Sequence, residues 1–455
     1  MTVDLTAEPS AATRSPAISR PGSQALTPLP GIGRWWLLAV LFLFYAYTYV
    51  DRMVVSLLVP DIERTIGLSD TQIGFVMGPV ATIVIALASF PAGWIADRYP
   101  RRLVLLCAVG LFALGTIGIG LSDSFVSLMV ARSVASLGEA AIIPCAYSLI
   151  ADAFTRERLG TATAIFTTGG KVGTAAALGA GGLALGYAER FVSAGQSLGY
   201  AAWQLVFIIL GLPILIGAAL SFSFEDPDRK GVADTDRKRS DLTAFLVKER
   251  RLLILMLVGF SVICISSFAL TSWVPAYLAR QFKMLPREYG PTLGLISIGT
   301  AIALGVKGWL VDWFYARGVK DIYIRLYIYV LVLTSPLFAC MFFLTNAWAF
   351  IVVYGFTQIV TIPYLSYATT AIQVITPGDL RARLMSIAFI LFALSGGLGA
   401  FIVGALSDHV FNGPAHLGAS LGTVLIFSGP IALVCLILSL KPLRAAVEAA
   451  EQRAQ

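Results

Sequence analysis

The chain has 455 residues, 57% hydrophobic and 13% charged, with a formal net charge of +7 and a mean hydropathy of +0.81. A soluble domain carries about 25% charged residues, so the composition excludes a soluble globular protein and marks an integral membrane protein. It also makes the positive balance uninformative about nucleic acid, because in a membrane protein the placement of the cations matters more than their sum.

Residues 1–33, rich in Ser, Ala, Thr, Pro and Gly, predict a disordered cytoplasmic tail, and they lack the apolar core of a cleaved signal peptide. Arg34, Trp35 and Trp36 then anchor the first of twelve apolar runs, each near the ~20 residues needed to cross a bilayer. Six of them predict an N-terminal bundle over residues 34–223: Trp35–Val59, Thr71–Ala96, Leu103–Leu121, Phe125–Ala151, Leu159–Tyr187 and Trp203–Phe222. A mixed-charge stretch, 224–251, predicts a solvated cytoplasmic linker. A second bundle over 252–441 holds Leu252–Leu278, Gly290–Val311, Ile322–Leu344, Trp348–Ile372, Leu384–Ala405 and Leu421–Leu440, and a short tail, 442–455, closes the chain. The fold class is all-α integral membrane, with twelve transmembrane helices in two six-helix bundles.

With both termini and the linker in the cytoplasm, inner segments hold 24 of the 33 Lys and Arg residues and outer segments six. That asymmetry predicts this orientation. Asn346 and Asn412 are the only asparagines and neither begins a glycosylation sequon, which fits a bacterial inner-membrane protein, expected as a monomer in the bilayer. Cys107, Cys145, Cys264, Cys340 and Cys435 sit in apolar runs at irregular spacing and read as buried hydrophobes. His409 and His416 share one short loop. With no nucleotide-binding, hydrolase or metal-ligand motif, neither an enzyme nor a cofactor or metal is expected.

Ionisable residues inside apolar runs are the strongest pointers to function, since each costs at least about 2.5–3.5 kcal/mol in a membrane helix and faces a partner or a wet cavity. Arg132 and Glu139 lie seven residues apart, on one face of span four and roughly 10 Å apart along its axis. Counting residues along antiparallel spans puts Asp51 of span one at the height of Arg132, and Lys171 of span five within side-chain reach of Glu139. Asp51 and Glu139 are therefore candidate proton-binding carboxylates with Arg132 as their partner. The competing reading is two permanent bridges, Asp51–Arg132 and Glu139–Lys171. Lys171 could instead meet an anionic substrate. Arg52 is expected at the outer interface, and Lys307 is expected to snorkel to the inner one. Span seven offers Ser266, Ser267, Thr271, Ser272, Trp273 and Tyr277, and span ten Tyr354, Gln358, Thr361, Tyr364 and Tyr367, as substrate-binding candidates or as ordinary interhelical contacts.

Internal repetition supports two related halves. Gly93-Trp94-Ile95-Ala96-Asp97 closes span two and Gly308-Trp309-Leu310-Val311-Asp312 closes span eight, each followed by basic residues, and Gly169-Gly170 has a counterpart in Gly396-Gly397. Repeated halves about a central linker are common in secondary transporters, with the site between them.

The run Gly93 to Arg102, Gly-Trp-Ile-Ala-Asp-Arg-Tyr-Pro-Arg-Arg, resembles the signature loop of the major facilitator superfamily, with Pro100 where a Gly is usual. The resemblance extends over the chain after residue 33. It implies alternating access, with Gly93, Asp97, Arg98, Arg101 and Arg102, and Gly308 and Asp312 in the second copy, forming a cytoplasmic gate in which Asp97 and Arg101 latch the inner side. Tyr49-Val50-Asp51-Arg52, Pro60-Asp61-Ile62-Glu63, Arg132 and Gly138-Glu139-Ala140 resemble both the spinster-like and the anion–cation symporter branches. Leu149-Ile150-Ala151-Asp152-Ala153-Phe154 and Gly181-Gly182 are more similar to the spinster-like branch. That branch carries an acidic residue in helix one and the Arg/Glu pair in helix four. The resemblance implies proton-coupled movement of an anionic or amphipathic, lysolipid-like molecule. The alternatives are a symporter for small organic anions such as sugar acids and, from another class, a non-transporting sensor or scaffold.

Overall fold

The computed structural model describes residues 31–195, 199–227, 242–319, 321–362, 364–377 and 380–454. Among them there is no strand. The first half is built from α1 (Gly31–Ile66), α2 (Asp70–Arg98), α3 (Arg101–Gly120), α4 (Phe125–Ala153), α5 (Arg156–Ser193) and α6 (Ala202–Phe222). The second half contains α7 (Arg250–Gln281), α8 (Pro286–Ala316), α9 (Ile322–Phe343), α10 (Ala347–Ile375), α11 (Arg381–His409) and α12 (Leu417–Ala454). Eleven of these helices are long and apolar enough to cross a membrane. The twelfth, α5, is richer in Gly and Thr than the others; it has 38 residues and packs between α1 and α8.

Sequence signals set the helix ends. Ser124 starts α4 with a capping box on Ser127, and Ser69 starts α2 with one on Gln72. Pro79 has no N–H to give, and around it α2 relaxes into a π-helical turn, Val76–Val80. There α2 meets α11 so closely that a Cβ on Gly78 would lie 1.9 Å from the Gly397 carbonyl. Between α5 and α8, a Cβ on Gly182 would lie 2.5 Å from the Pro286 carbonyl. Any larger residue at these two positions would push the halves apart.

The arrangement of the core shows the shape of the molecule. One buried cluster, with Val54, Ile73, Trp203, Trp273, Tyr289 and Val403 among its members, draws on both halves. Toward the opposite end, where the basic residues after α2 and α8 lie, the core splits in two. One part, around Leu41, Phe112 and Cys145, belongs to the first half, and the other, around Phe260, Tyr327 and Leu384, belongs to the second. The halves are fused at one end and separate toward the basic end.

The expected tails and linker are described only in part. Residues 1–30 and 228–241, which hold most of the expected tail and linker, lie outside the described residues. The flanks of the linker are packed: Phe224 is buried in the first half, and Phe245 of a short helix, Leu242–Lys248, in the second. The expected C-terminal tail continues α12, burying Leu443, Ala446 and Val447 and pairing Arg444 with Asp321 at 2.6 Å.

Candidate functional site

Asp51 and Arg52 are consecutive on α1, so their side chains leave the helix about 100° apart and reach different partners on α4. Asp51, 1% exposed, pairs with Arg132 and accepts a hydrogen bond from the Thr116 hydroxyl of α3 at 2.9 Å. Arg52 turns along the helix to Glu139, donating from Nη2 at 2.6 Å and from Nε at 3.4 Å. The pair on α1 thus matches the pair on α4, acid to base and base to acid.

This corrects two expectations. Glu139 is bridged by Arg52 rather than by Lys171, and Arg52 is not an interfacial residue. The physical reason is the length of the Arg side chain, which spans most of the ~10 Å that separates Glu139 from the level of α1's Asp51. Lys171 instead lines a cavity of about 380 Å³ between the halves, together with Arg52 and Arg132, and forms no ion pair among the described residues. The Nε of Arg132 is buried with no hydrogen-bond partner. The cavity wall also has Thr167 and Thr174 from α5, Ser267, Thr271 and Ser272 from α7, and an apolar surface that includes Met53, Met77, Phe268 and Leu365.

Of the second-half candidates, Ser267, Thr271, Ser272 and Tyr364 line this cavity and the others are placed elsewhere. Trp273 is fully buried and donates from Nε1 to the Ala400 carbonyl at 2.8 Å, holding α7 to α11. Tyr277 belongs to an aromatic cluster with Phe282, Phe342 and Phe350, and Tyr354 stacks on Phe350. Gln358 faces a smaller chamber of about 40 Å³ inside the second half, and Tyr367 packs beside Tyr327. Aromatic and polar residues in a span look alike in sequence whether they face a cavity or a neighbouring helix, which is why these were not separable.

The gate motif also differs from expectation. Arg101 is 1% exposed and does not latch Asp97: it pairs with Asp152 of α4 and with Asp226 at 2.9 Å, and donates to the Pro227 carbonyl. Arg101 therefore ties together the basic end of its own half. Asp97 is exposed, Arg98 stacks over Trp94 at 3.8 Å, and Arg102 donates to the Phe224 carbonyl at 3.2 Å. A Cβ on Gly93 or Gly308 would meet nothing within 4 Å, so neither glycine makes a close helix contact in this conformation. Asp312 lies on α8, and its side chain is outside the described residues.

The fused end holds a charge cluster that sequence reasoning missed. Arg280 at the end of α7 pairs with Glu63 of α1 and with Asp70 of α2 at 2.7 Å, and the Ser407 hydroxyl of α11 donates to Asp70. Asp408 of α11 accepts from the Thr71 backbone N–H of α2 at 2.7 Å, and the Ser56 hydroxyl donates to the Thr271 carbonyl at 3.3 Å. The signal was present, with Glu63 and Asp70 on one side and Arg280 on the other, but their meeting depends on how the halves dock.

Two six-helix halves around a cavity with buried ion pairs and a lysine that has no ion pair among the described residues form the architecture of a secondary transporter. The chain belongs to the major facilitator superfamily, whose profile matches residues 41–400. It is 26% identical to an "MFS-type efflux pump" of Mycolicibacterium smegmatis, over 85% of this chain and 88% of that one. It is 22% identical to a D-galactonate transporter of Escherichia coli, over 64% and 69% of the two chains, and 27% identical to spinster homolog 1 of Xenopus laevis, over 55% and 48%. Among solved structures, the fold matches a bacterial homologue of the human lysosomal transporter spinster, in its inward-facing and unoccupied conformation. The TM-score is 0.76 at 22% identity, covering 93% of this chain and 98% of that one.

Proposed function

We propose that this chain is a proton-coupled transporter of an anionic molecule with an apolar body, working by alternating access in a bacterial inner membrane. Both termini and the basic end face the cytoplasm, so the described conformation is open to the inside. The observation that carries the reading is Lys171, a cation facing a largely apolar cavity beside two arginines that are each already matched by a carboxylate. A substrate anion completes the charge there. Apolar lining from Met53, Met77, Phe268 and Leu365 suits an amphipathic body. The similarity to spinster-type proteins supports the same class.

In the mechanism, Asp51 takes up a proton and releases Arg132, whose guanidinium then turns to the substrate or to Glu139. Deprotonation restores the Asp51–Arg132 pair and expels the anion. Glu139 and Arg52 form the second exchange pair. Proton flux driven by substrate in proteoliposomes tests this: Asp51→Asn uncouples flux from transport, and unchanged coupled transport in that variant removes Asp51 from the mechanism.

A small hydroxylated acid is the second reading. Ser267, Thr271, Ser272 and Ser366 put hydroxyls on the second-half wall, and several relatives are named as sugar-acid transporters. Competition by lysolipids or by sugar acids for one transported tracer separates the two. Substrate accumulation in vesicles excludes the non-transporting sensor or scaffold.

A further inference from the structure

Helix α10 crosses the second half in two pieces, Ala347–Thr361 and Tyr364–Ile375. Between them Ile362 is extended, with φ −78° and ψ 132°. Pro363 has no N–H for the Ile359 carbonyl four residues before it, and the extended residue breaks the hydrogen-bond ladder for its neighbours. Carbonyls freed in this way inside a bilayer must be satisfied within the protein.

Lys307 of α8 does so. Its Nζ donates to the carbonyls of Ile359 at 2.5 Å, Val360 at 2.7 Å and Ile362 at 2.6 Å. An ammonium has three N–H donors, and all are used. The partners are backbone dipoles at the C-terminal, negative end of a helix, not a carboxylate. Lys307 was expected to snorkel to the inner interface; the cradle explains why it stays within the bundle.

We infer that the break in α10 is a monovalent-cation site built from backbone carbonyls, and that its resident cation is the tethered ammonium of Lys307. Unwound helix ends coordinate free cations in other transporters, and an ammonium is the tethered equivalent of such an ion. Leu304, one turn before Lys307, and Ile362 both line the central cavity, so a free ion can reach the cradle when the lysine is removed. The segment just after the break places Tyr364, Leu365 and Ser366 on the cavity wall. The cation in the break therefore sets the orientation of the second-half wall. This site is independent of the identity of the substrate and of proton coupling.

The test needs no substrate. Thermal unfolding of purified wild-type protein and of Lys307→Ala is followed in choline chloride, with ammonium, potassium or sodium chloride replacing choline at constant ionic strength. Wild type is insensitive to the exchange, because its site is filled. Lys307→Ala unfolds at a lower temperature in choline, and at least one small cation raises its Tm saturably by at least about 2–4 °C. Lys307→Met, which keeps the volume of the stem, replaces the alanine variant should that one not fold. A Tm of the variants that is the same in all four salts overturns the inference, as water then serves the carbonyls. It is overturned equally by a wild-type response as large as that of the variants, or by failure of both variants to fold in every salt.

Discussion

The two halves repeat one architecture and use it differently. In the first, charge is met by charge: Asp51 with Arg132, Arg52 with Glu139, Arg101 with Asp152 and Asp226. In the second, the intramembrane cation Lys307 is met by carbonyl dipoles, and the cavity wall offers hydroxyls and apolar side chains. At the basic ends the repeat is preserved with its charges exchanged. Arg101 at the start of α3 reaches an acid beyond α6, whereas Asp321, just before α9, reaches Arg444 beyond the membrane stretch of α12. A side chain paired with another can be released by one proton, while a lysine held by three backbone carbonyls gives a fixed wall. On the proposed mechanism, the moving charge lies in the first half and the rigid surface in the second.

The largest expected effect comes from splitting the buried pair. Asp51→Leu alone strands Arg132 and costs about 3–5 kcal/mol in unfolding free energy, whereas Asp51→Leu with Arg132→Leu recovers most of that loss while coupled transport stays absent. Equal unfolding midpoints for the single and double variants would dissolve the distinction between the halves. Next is the Arg52–Glu139 bridge. A double-mutant cycle of Arg52→Met and Glu139→Gln, read by thermal unfolding, yields a coupling energy of about 0.5–3 kcal/mol.

A conformational effect follows. Arg280→Ala removes the second-half cation that holds Glu63 and Asp70 of the first half, and it shifts the population toward the state open at the fused end. Alkylation of a cysteine placed at Ser56 reports this as faster labelling than in the parent protein; an unchanged rate assigns the cluster to packing alone. Lys171→Met keeps the unfolding midpoint or raises it, because it removes an unpaired cation from the bilayer interior, yet raises the substrate KM. The smallest effect is that of Asp97→Asn. The residue is exposed here, so stability changes by no more than about 0.5 kcal/mol in a chemical or thermal melt.

Much of this was legible in the residues themselves. Hydrophobic runs near the bilayer length, the two Gly-Trp segments and the spacing of Arg132 and Glu139 depend only on local composition and on helix geometry, so the twelve spans, the two halves and the face carrying the charges follow without tertiary information. The depth of Asp51 against Arg132 is equally a matter of rise per residue. The partner of Glu139 is not, because Arg52 and Lys171 both reach its level and the choice depends on how α1 and α5 are rotated about their axes. Rotation likewise separates Tyr364, on the cavity, from Trp273 and Tyr277, inside the packing. The Arg280 cluster and the Lys307 cradle need contacts between residues 52 to 337 positions apart, set by docking and by a helix break. Local rules decide which residues lie in the membrane and at what height; only the packed bundle decides which of them meet.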